Sequence, residues 1–202
     1  MLTTYEVNEL MIELSNSEKI LLLASGGIDS TALLDFYLKH NNNVECIHFQ
    51  YGQPNAQSEK TAIEKITEYY KVKKRIINLD IIMARRNDEF IGRNAFFILA
   101  TSALGISPAR IALGIHSGSR YYDCTKDFLN DCQRILDGYF AGVVKIEAPF
   151  IDFTKSDIIR YCKKYKVPVE LTYSCFRQNY PPCGNCPSCL DRAMLNENRR
   201  SM

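Results

Sequence analysis

An α/β architecture is what this sequence predicts: a doubly wound, mostly parallel sheet with helices on both faces, carrying a small four-cysteine module at its C-terminal end. Three observations predict it. Short apolar runs alternate with amphipathic stretches of helical period from about residue 19 to residue 165. A Gly-Gly turn follows the first apolar run, where an open parallel sheet places its ligands. After about residue 170 the periodicity stops and Cys, Pro and Asn take over.

Taken in order, Val7, Leu10, Met11 and Leu14 repeat at helical spacing and predict an N-terminal helix within residues 1–17. Lys19 to Ala24 is a short apolar run suited to a strand buried on both faces. Ser25 to Thr31 reads as a turn and Thr31 to Lys39 as a helix, ended by Asn41-Asn42-Asn43. Val44 to Phe49 is a second strand, Asn55 to Tyr70 a long amphipathic helix, and Arg75 to Leu79 a third strand. Residues 81–92 read as a loop or an irregular helix. Asn94 to Leu104 is a helix, Arg110 to Gly114 a strand, residues 126–140 a helix, Val143 to Ile146 a strand and Thr154 to Tyr165 a helix. The main α/β domain therefore spans 18–170, and 171–202 forms a metal module with a C-terminal helix. No internal repeat and no low-complexity linker interrupts this order.

The 202 residues are 46% hydrophobic and 24% charged, enough for a full core without disulfides. The net charge of +2 offers no electrostatic case for nucleic acid. Its basic clusters, Lys71 to Arg75 and Lys163-Lys164, read as solvated helix ends or turns. No run approaches the ~20 apolar residues of a membrane span, and Met1 to Asn8 lacks the pattern of a secretory signal. The cytoplasm is the expected compartment, and clustered cysteines there point to metal.

The strongest local signal is Ala24-Ser25-Gly26-Gly27-Ile28-Asp29-Ser30-Thr31, lying between the first strand and the first helix. Two glycines let the backbone approach an anion, the helix start offers free N–H groups, and Ser25, Ser30 and Thr31 add hydroxyls. It is neither GxxxxGK[ST] nor GxGxxG. The plainer alternative is a strand-to-helix turn capped by Asp29 or Ser30.

Cys175, Cys183, Cys186 and Cys189 stand as C-x7-C-x2-C-x2-C. Four thiolates suit tetrahedral zinc. An iron–sulfur cluster also takes four, but the turn-rich setting of Pro182, Gly184 and Pro187 reads more as structural zinc. Cys46, Cys132 and Cys162 fall on apolar or helical stretches and read as core. Cys124 sits in a loop, where a reactive thiol and a packed one are equally compatible with the sequence.

The loop resembles the SGGxDS loop of the ATP pyrophosphatases, and loop and cysteines together resemble the 7-cyano-7-deazaguanine synthase (QueC-like) family of the PP-loop superfamily. Further matches follow in order: Phe49-Gln50-Tyr51-Gly52-Gln53, Gly92-Arg93-Asn94, Tyr122-Asp123-Cys124 with Phe128, and Thr154-Lys155 before a helix. The similarity runs from about Lys19 to Arg192. It implies an adenine nucleotide α-hydrolase-like fold, with Ser25, Gly26, Gly27, Asp29, Ser30 and Thr31 on ATP and Mg²⁺. It also implies catalytic roles for Asp29, Ser30 and Lys155, substrate contacts from Tyr51, Gln53, Arg93, Asn94, Asp123 and Cys124, and Zn²⁺ on the four cysteines. Each has a plainer role available: Tyr51 and Gln53 shaping a loop, Arg93 and Asn94 capping a helix, Lys155 solvated, Asp123 a loop cap. The chain departs from the family in three ways, one of them the extra N-terminal helix. Only Ile81 to Ile91 precedes Gly92-Arg93-Asn94, with Ile91 where the family has proline, and Gly114 to Tyr121 carries no acid.

The resemblance implies a ligase that adenylates a deazapurine acid, releases pyrophosphate and passes the acyl group to ammonia, ending in a nitrile. A divergent relative would deliver it to another amine, such as a protein in antiviral defence, and the departures bear on that choice. A non-catalytic nucleotide-binding subunit and a tRNA-thiolating or lysidine-type enzyme are further alternatives, the last disfavoured by the near-neutral charge. A homodimer is expected on the resemblance alone.

Overall fold

The computed structural model describes residues 19–40, 43–81, 83, 85–86, 89–105, 109–118, 121–177 and 181–197. The predicted N-terminal helix lies outside the described residues. Five strands form one parallel sheet: β1 (Lys19–Leu23), β2 (Asn43–Gln50), β3 (Lys73–Asn78), β6 (Ala109–Leu113) and β7 (Lys145–Glu147), in the order β3-β2-β1-β6-β7. Between them run α1 (Ile28–Lys39), α2 (Ala56–Tyr70), α3 (Arg93–Ser102), α4 (Lys126–Phe140) and α5 (Lys155–Tyr165), and α6 (Pro187–Glu197) follows. A short antiparallel ladder, β4 (Arg85–Arg86) with β5 (Glu89–Phe90), precedes α3.

Alternate strand residues feed opposite faces, as a doubly covered sheet requires. Ile20, Leu22, Val44, Cys46 and Ala112 pack with α1, α2, α5 and Leu195 of α6. On the other face Leu21, Ile47 and Phe49 pack with Phe97 of α3, while Ile111 and Leu113 pack with Phe128, Cys132 and Leu136 of α4. Cys46, Cys132 and Cys162 are core residues as expected, and burial pushes the Cys46 and Cys162 thiols up to about 12.

Several expectations are corrected. Residues 81–92 contain the β4–β5 ladder rather than an irregular helix. The first helix begins at Ile28, not Thr31, because extended Gly27 holds the cap position. The basic run Lys71 to Arg75 is only in part a helix end. Lys73 to Arg75 opens the edge strand β3, and Arg75 pairs with Glu45 of β2. The last strand is Lys145–Glu147 rather than Val143 to Ile146, because Val144 is buried against α4 ahead of the strand. Among the described residues, no helix is long and apolar enough to cross a membrane.

The first described strand lies in the middle of the sheet, and from it the chain winds out to β3, then reverses to β6. The segments leaving β1 and β6 therefore diverge and open a crevice at the strands' carboxyl ends.

Candidate active site

A cavity of about 360 Å³ occupies this crevice. Its floor is the loop of residues 25–30. Gly26 has φ +79, and a Cβ there would stand 3.0 Å from the Glu59 carbonyl oxygen, so the loop turns where only glycine fits. Gly27 donates its N–H to Ser25 Oγ at 3.2 Å. The Ser30 hydroxyl donates to the Gly27 carbonyl at 3.2 Å, which leaves the Ser25 hydroxyl to donate to Ser30 Oγ at 3.1 Å. No side chain caps the start of α1, so its first-turn N–H groups and positive helix end are left for a ligand.

Asp29 is therefore not a helix cap. Lys155 Nζ donates to both its carboxylate oxygens, at 2.7 and 2.9 Å. Lys155 is the first residue of α5, set there by a capping box in which Thr154 and Asp157 satisfy each other's backbone N–H groups. Its side chain is 17% exposed, so it is not the solvated residue its position allows. Thr31 is also placed differently from expectation. It is buried with its hydroxyl on the Gly27 carbonyl, and it bolsters the loop from behind instead of lining the cavity.

The opposite wall is built from α2 and α3. Gln53 is buried below the cavity surface, accepting from Tyr51 N at 2.8 Å and donating to Glu59 Oε2 at 2.9 Å. Asn55 donates to Glu59 Oε1 at 3.0 Å and to the Cys175 carbonyl at 2.9 Å. Burial pushes the Glu59 carboxyl above its ordinary value of 4.5, against the pull of Gln53, Arg93 and Asn55. Arg93 Nη1 lies 3.5 Å from Tyr51 Oη. Burial works against the Arg93 charge, but Tyr51, Asp123 and Glu59 more than offset it. Gly92, in the left-handed region, holds the cap position of α3, so neither Arg93 nor Asn94 caps it. Asn94 instead reaches the Asp123 carbonyl at 3.3 Å. Cys124 lines the cavity, with its thiol 3.7 Å from Asp123 Oδ1.

Residues in or against this site that were missed in the sequence include Glu59, His48, Gly114, Tyr173 and Asp191. Glu59 belongs to an ordinary amphipathic helix until the fold turns it inward. His48 lies on β2 with Nδ1 donating to the Ala24 carbonyl at 2.9 Å and Nε2 buried without a partner. Gly114 lets β6 approach the loop, since a Cβ there would meet Ser30 N at 3.0 Å. Tyr173 donates its backbone N–H to the Gly26 carbonyl at 2.9 Å. Asp191 of α6 stands 3.6 Å from Lys155 Nζ. Only Asp191 had a signal, its place two residues after Cys189.

The four cysteines converge, with their sulfurs within 4.8 Å of one another and Cys183 Sγ 3.9 Å from Cys189 Sγ. Tetrahedral Zn–S bonds of ~2.3 Å need sulfurs ~3.8 Å apart, so the set fits that metal. Backbone N–H groups of Arg177 and Cys183 point at Cys175 Sγ, each at 3.4 Å. Those of Asn185 and Cys186 help hold the Cys183 thiol down at about 6.

The reversed parallel sheet, its glycine-turned loop and the Lys–Asp pair above it define a PP-loop α/β protein with a thiol cluster able to hold a metal. The sequence matches the family described as Queuosine biosynthesis protein QueC over residues 19–91 and 84–198. Relatives named 7-cyano-7-deazaguanine synthase include that of Archaeoglobus fulgidus, 32% identical over 86% of this chain and 84% of its own. That of Persephonella marina is 29% identical over 89% and 92% respectively. Among solved structures, NMN synthetase from Francisella tularensis aligns with TM-score 0.44 and 12% identity over 86% of this chain and 73% of that one. The chain belongs to the QueC family.

Proposed function

We propose that this protein is an ATP-dependent ligase that activates 7-carboxy-7-deazaguanine and converts its carboxylate to the nitrile with ammonia. The observation that carries this reading is the Lys155–Asp29 pair over the loop of residues 25–30, in a chain whose relatives bear the synthase name. A carboxylate cannot expel oxide. Its oxygen attacks the α-phosphorus of ATP, the bond to the β-phosphate oxygen breaks, and pyrophosphate leaves an acyl adenylate. Ammonia adds to the acyl carbon, expels AMP and gives the amide with loss of a proton. The amide oxygen then attacks the α-phosphorus of a second ATP and releases a second pyrophosphate, and loss of AMP and of both N–H protons leaves the nitrile.

The first-turn N–H groups of α1, with Ser25 and Ser30, hold the β- and γ-phosphates, where charge builds as pyrophosphate departs. Lys155 neutralises part of that charge. The Asp29 carboxylate is the hard oxygen donor that would hold magnesium, and an ion there would supply positive charge for the departing pyrophosphate. Tyr51, Arg93, Asn94, Asp123 and Cys124 surround the acid, with the Arg93 guanidinium positioned to pair with its carboxylate. Zinc in the four-cysteine site is structural. Positioning and charge stabilisation carry the rate, and His40, His48 and His116 each set Nδ1 on a backbone carbonyl.

The test is pyrophosphate and AMP release with Mg-ATP and 7-carboxy-7-deazaguanine, with and without ammonium, followed by product mass. Ammonium-dependent nitrile, lost in Asp29→Asn, is expected. Adenylate that forms but is not consumed by ammonium would redirect the acceptor to another amine, a reading favoured by the short segment Ile81 to Ile91 and the acid-free segment from Gly114 to Tyr121. No pyrophosphate release would overturn the proposal.

A further inference from the structure

The cysteine module is stitched to the phosphate loop. Tyr173 N–H donates to the Gly26 carbonyl at 2.9 Å, and Asn55, whose other contact is Glu59, holds the Cys175 carbonyl at 2.9 Å. Arg192 of α6 donates to the Thr172 carbonyl at 3.0 Å and the Val169 carbonyl at 2.8 Å, tying the helix to the 3-10 turn that leads into Tyr173. One residue before it, Asp191 faces the cavity and places Oδ2 3.6 Å from Lys155 Nζ, whose shorter bonds go to Asp29. The ammonium thus lies between two carboxylates from opposite ends of the chain.

These two carboxylates have different duties on the proposed reading of the loop, on which this inference rests. A magnesium ion bound with the nucleotide needs an Asp29 oxygen that Lys155 now occupies. It would also set a double positive charge beside the ammonium. Lys155 must give up Asp29 while staying near the phosphates. We propose that Asp191 is a positioning residue for Lys155: it receives the ammonium when Asp29 turns to the metal-bound nucleotide, so that the cysteine module takes a direct part in nucleotide capture. With Asp191 gone, Lys155 keeps Asp29 as its carboxylate partner and competes with magnesium for it.

The test is a magnesium titration of α,β-methylene-ATP binding by calorimetry on the metal-loaded full chain. It compares wild type, Asp191→Asn, Lys155→Met and the double variant, with zinc content and circular dichroism measured on each. Asp191→Asn is expected to raise the magnesium concentration for half-saturation about fivefold, as fits an ion pair at a partly exposed site. It should leave that concentration unchanged in the Lys155→Met background, and Asp191→Glu should restore the wild-type titration. An unchanged titration in Asp191→Asn, or the same shift with and without Lys155, overturns the inference, as does an Asp191→Glu variant that is folded and metal-loaded yet still shifted. A wild-type protein that binds no nucleotide at any magnesium concentration overturns the proposed function as well.

Discussion

Gly114 offers a sharp test of how the phosphate loop is held. It follows the last residue of β6 beside the first turn of α1. A Cβ added there would stand 3.0 Å from Ser30 N and 3.1 Å from both Asp29 C and Ser30 Cα. Ordinary contact begins near 3.4 Å, so the backbone of the first turn must retreat by about 0.3 to 0.4 Å. None of these atoms is a flexible side-chain end. Gly114→Ala should therefore cost about 1–3 kcal/mol, as overpacking does elsewhere. At about 2–4 °C per kcal/mol for a chain of this size, thermal denaturation resolves that loss. The displaced atoms include the N–H groups proposed to hold phosphate. A 1 Å misplacement can cost ~100-fold in rate, so a third of that shift should slow pyrophosphate release about fivefold. Gly138 in α4 is the matched control. A Cβ there meets nothing within 4 Å, and Gly138→Ala should stabilise by about 0.5–1 kcal/mol and leave turnover unchanged. A Gly114→Ala protein with wild-type melting temperature and turnover would refute the close-packing argument.

Three further outcomes are expected. Cys186→Ser removes one of four converging thiols and should strip zinc from the metal-loaded protein while lowering its melting temperature; full metal retention by elemental analysis would show that another residue completes the set. Thr154→Ala breaks the capping box of α5 and should cost about 0.5–2 kcal/mol in denaturant unfolding, and an unchanged midpoint would deny the cap its role. Glu59 is held above 4.5 in the fold, so the native state binds the extra proton and the stability this gives is lost as pH rises from 4.5 through the raised value. The stability of Glu59→Gln relative to wild type should therefore improve over that window, and a difference that stays flat with pH would mean that burial does not perturb the carboxyl.

What the sequence revealed and what it concealed divide along chain distance. The loop of residues 25–30 and the run from Cys183 to Cys189 were legible because each packs its chemistry into a few neighbouring positions. The central strand β1 was legible because a strand buried on both faces favours a near-continuous apolar run. The edge strand β3 escaped in part, since Lys73, Lys74 and Arg75 are all exposed and break no pattern that a turn would not also break. Helix ends were hard to place for a similar reason. Lys71, Ala141 and Lys166 adopt positive φ at three of them, where glycine would have announced the stop. Asp29 was identified as a site residue, but its pairing with Lys155 spans 126 positions and has no local signature. Glu59 and Gly114 are invisible for the same reason: an amphipathic helix and a strand end give no hint of what they will face.

All five strands of the parallel sheet are complete by Glu147. The clasp on the loop comes later, from Tyr173 and Cys175, and Asp191 later still. A chain emerging from the ribosome therefore acquires its scaffold well before its site, since folding during synthesis proceeds from the N-terminal end. A product cut short after β7 would carry the glycine-rich turn and the first helix but neither Lys155 nor the segment that pins Gly26. On the proposed function, capture of nucleotide would then wait on the segment from Lys155 to Asp191, and copies ending before it would not hold ATP.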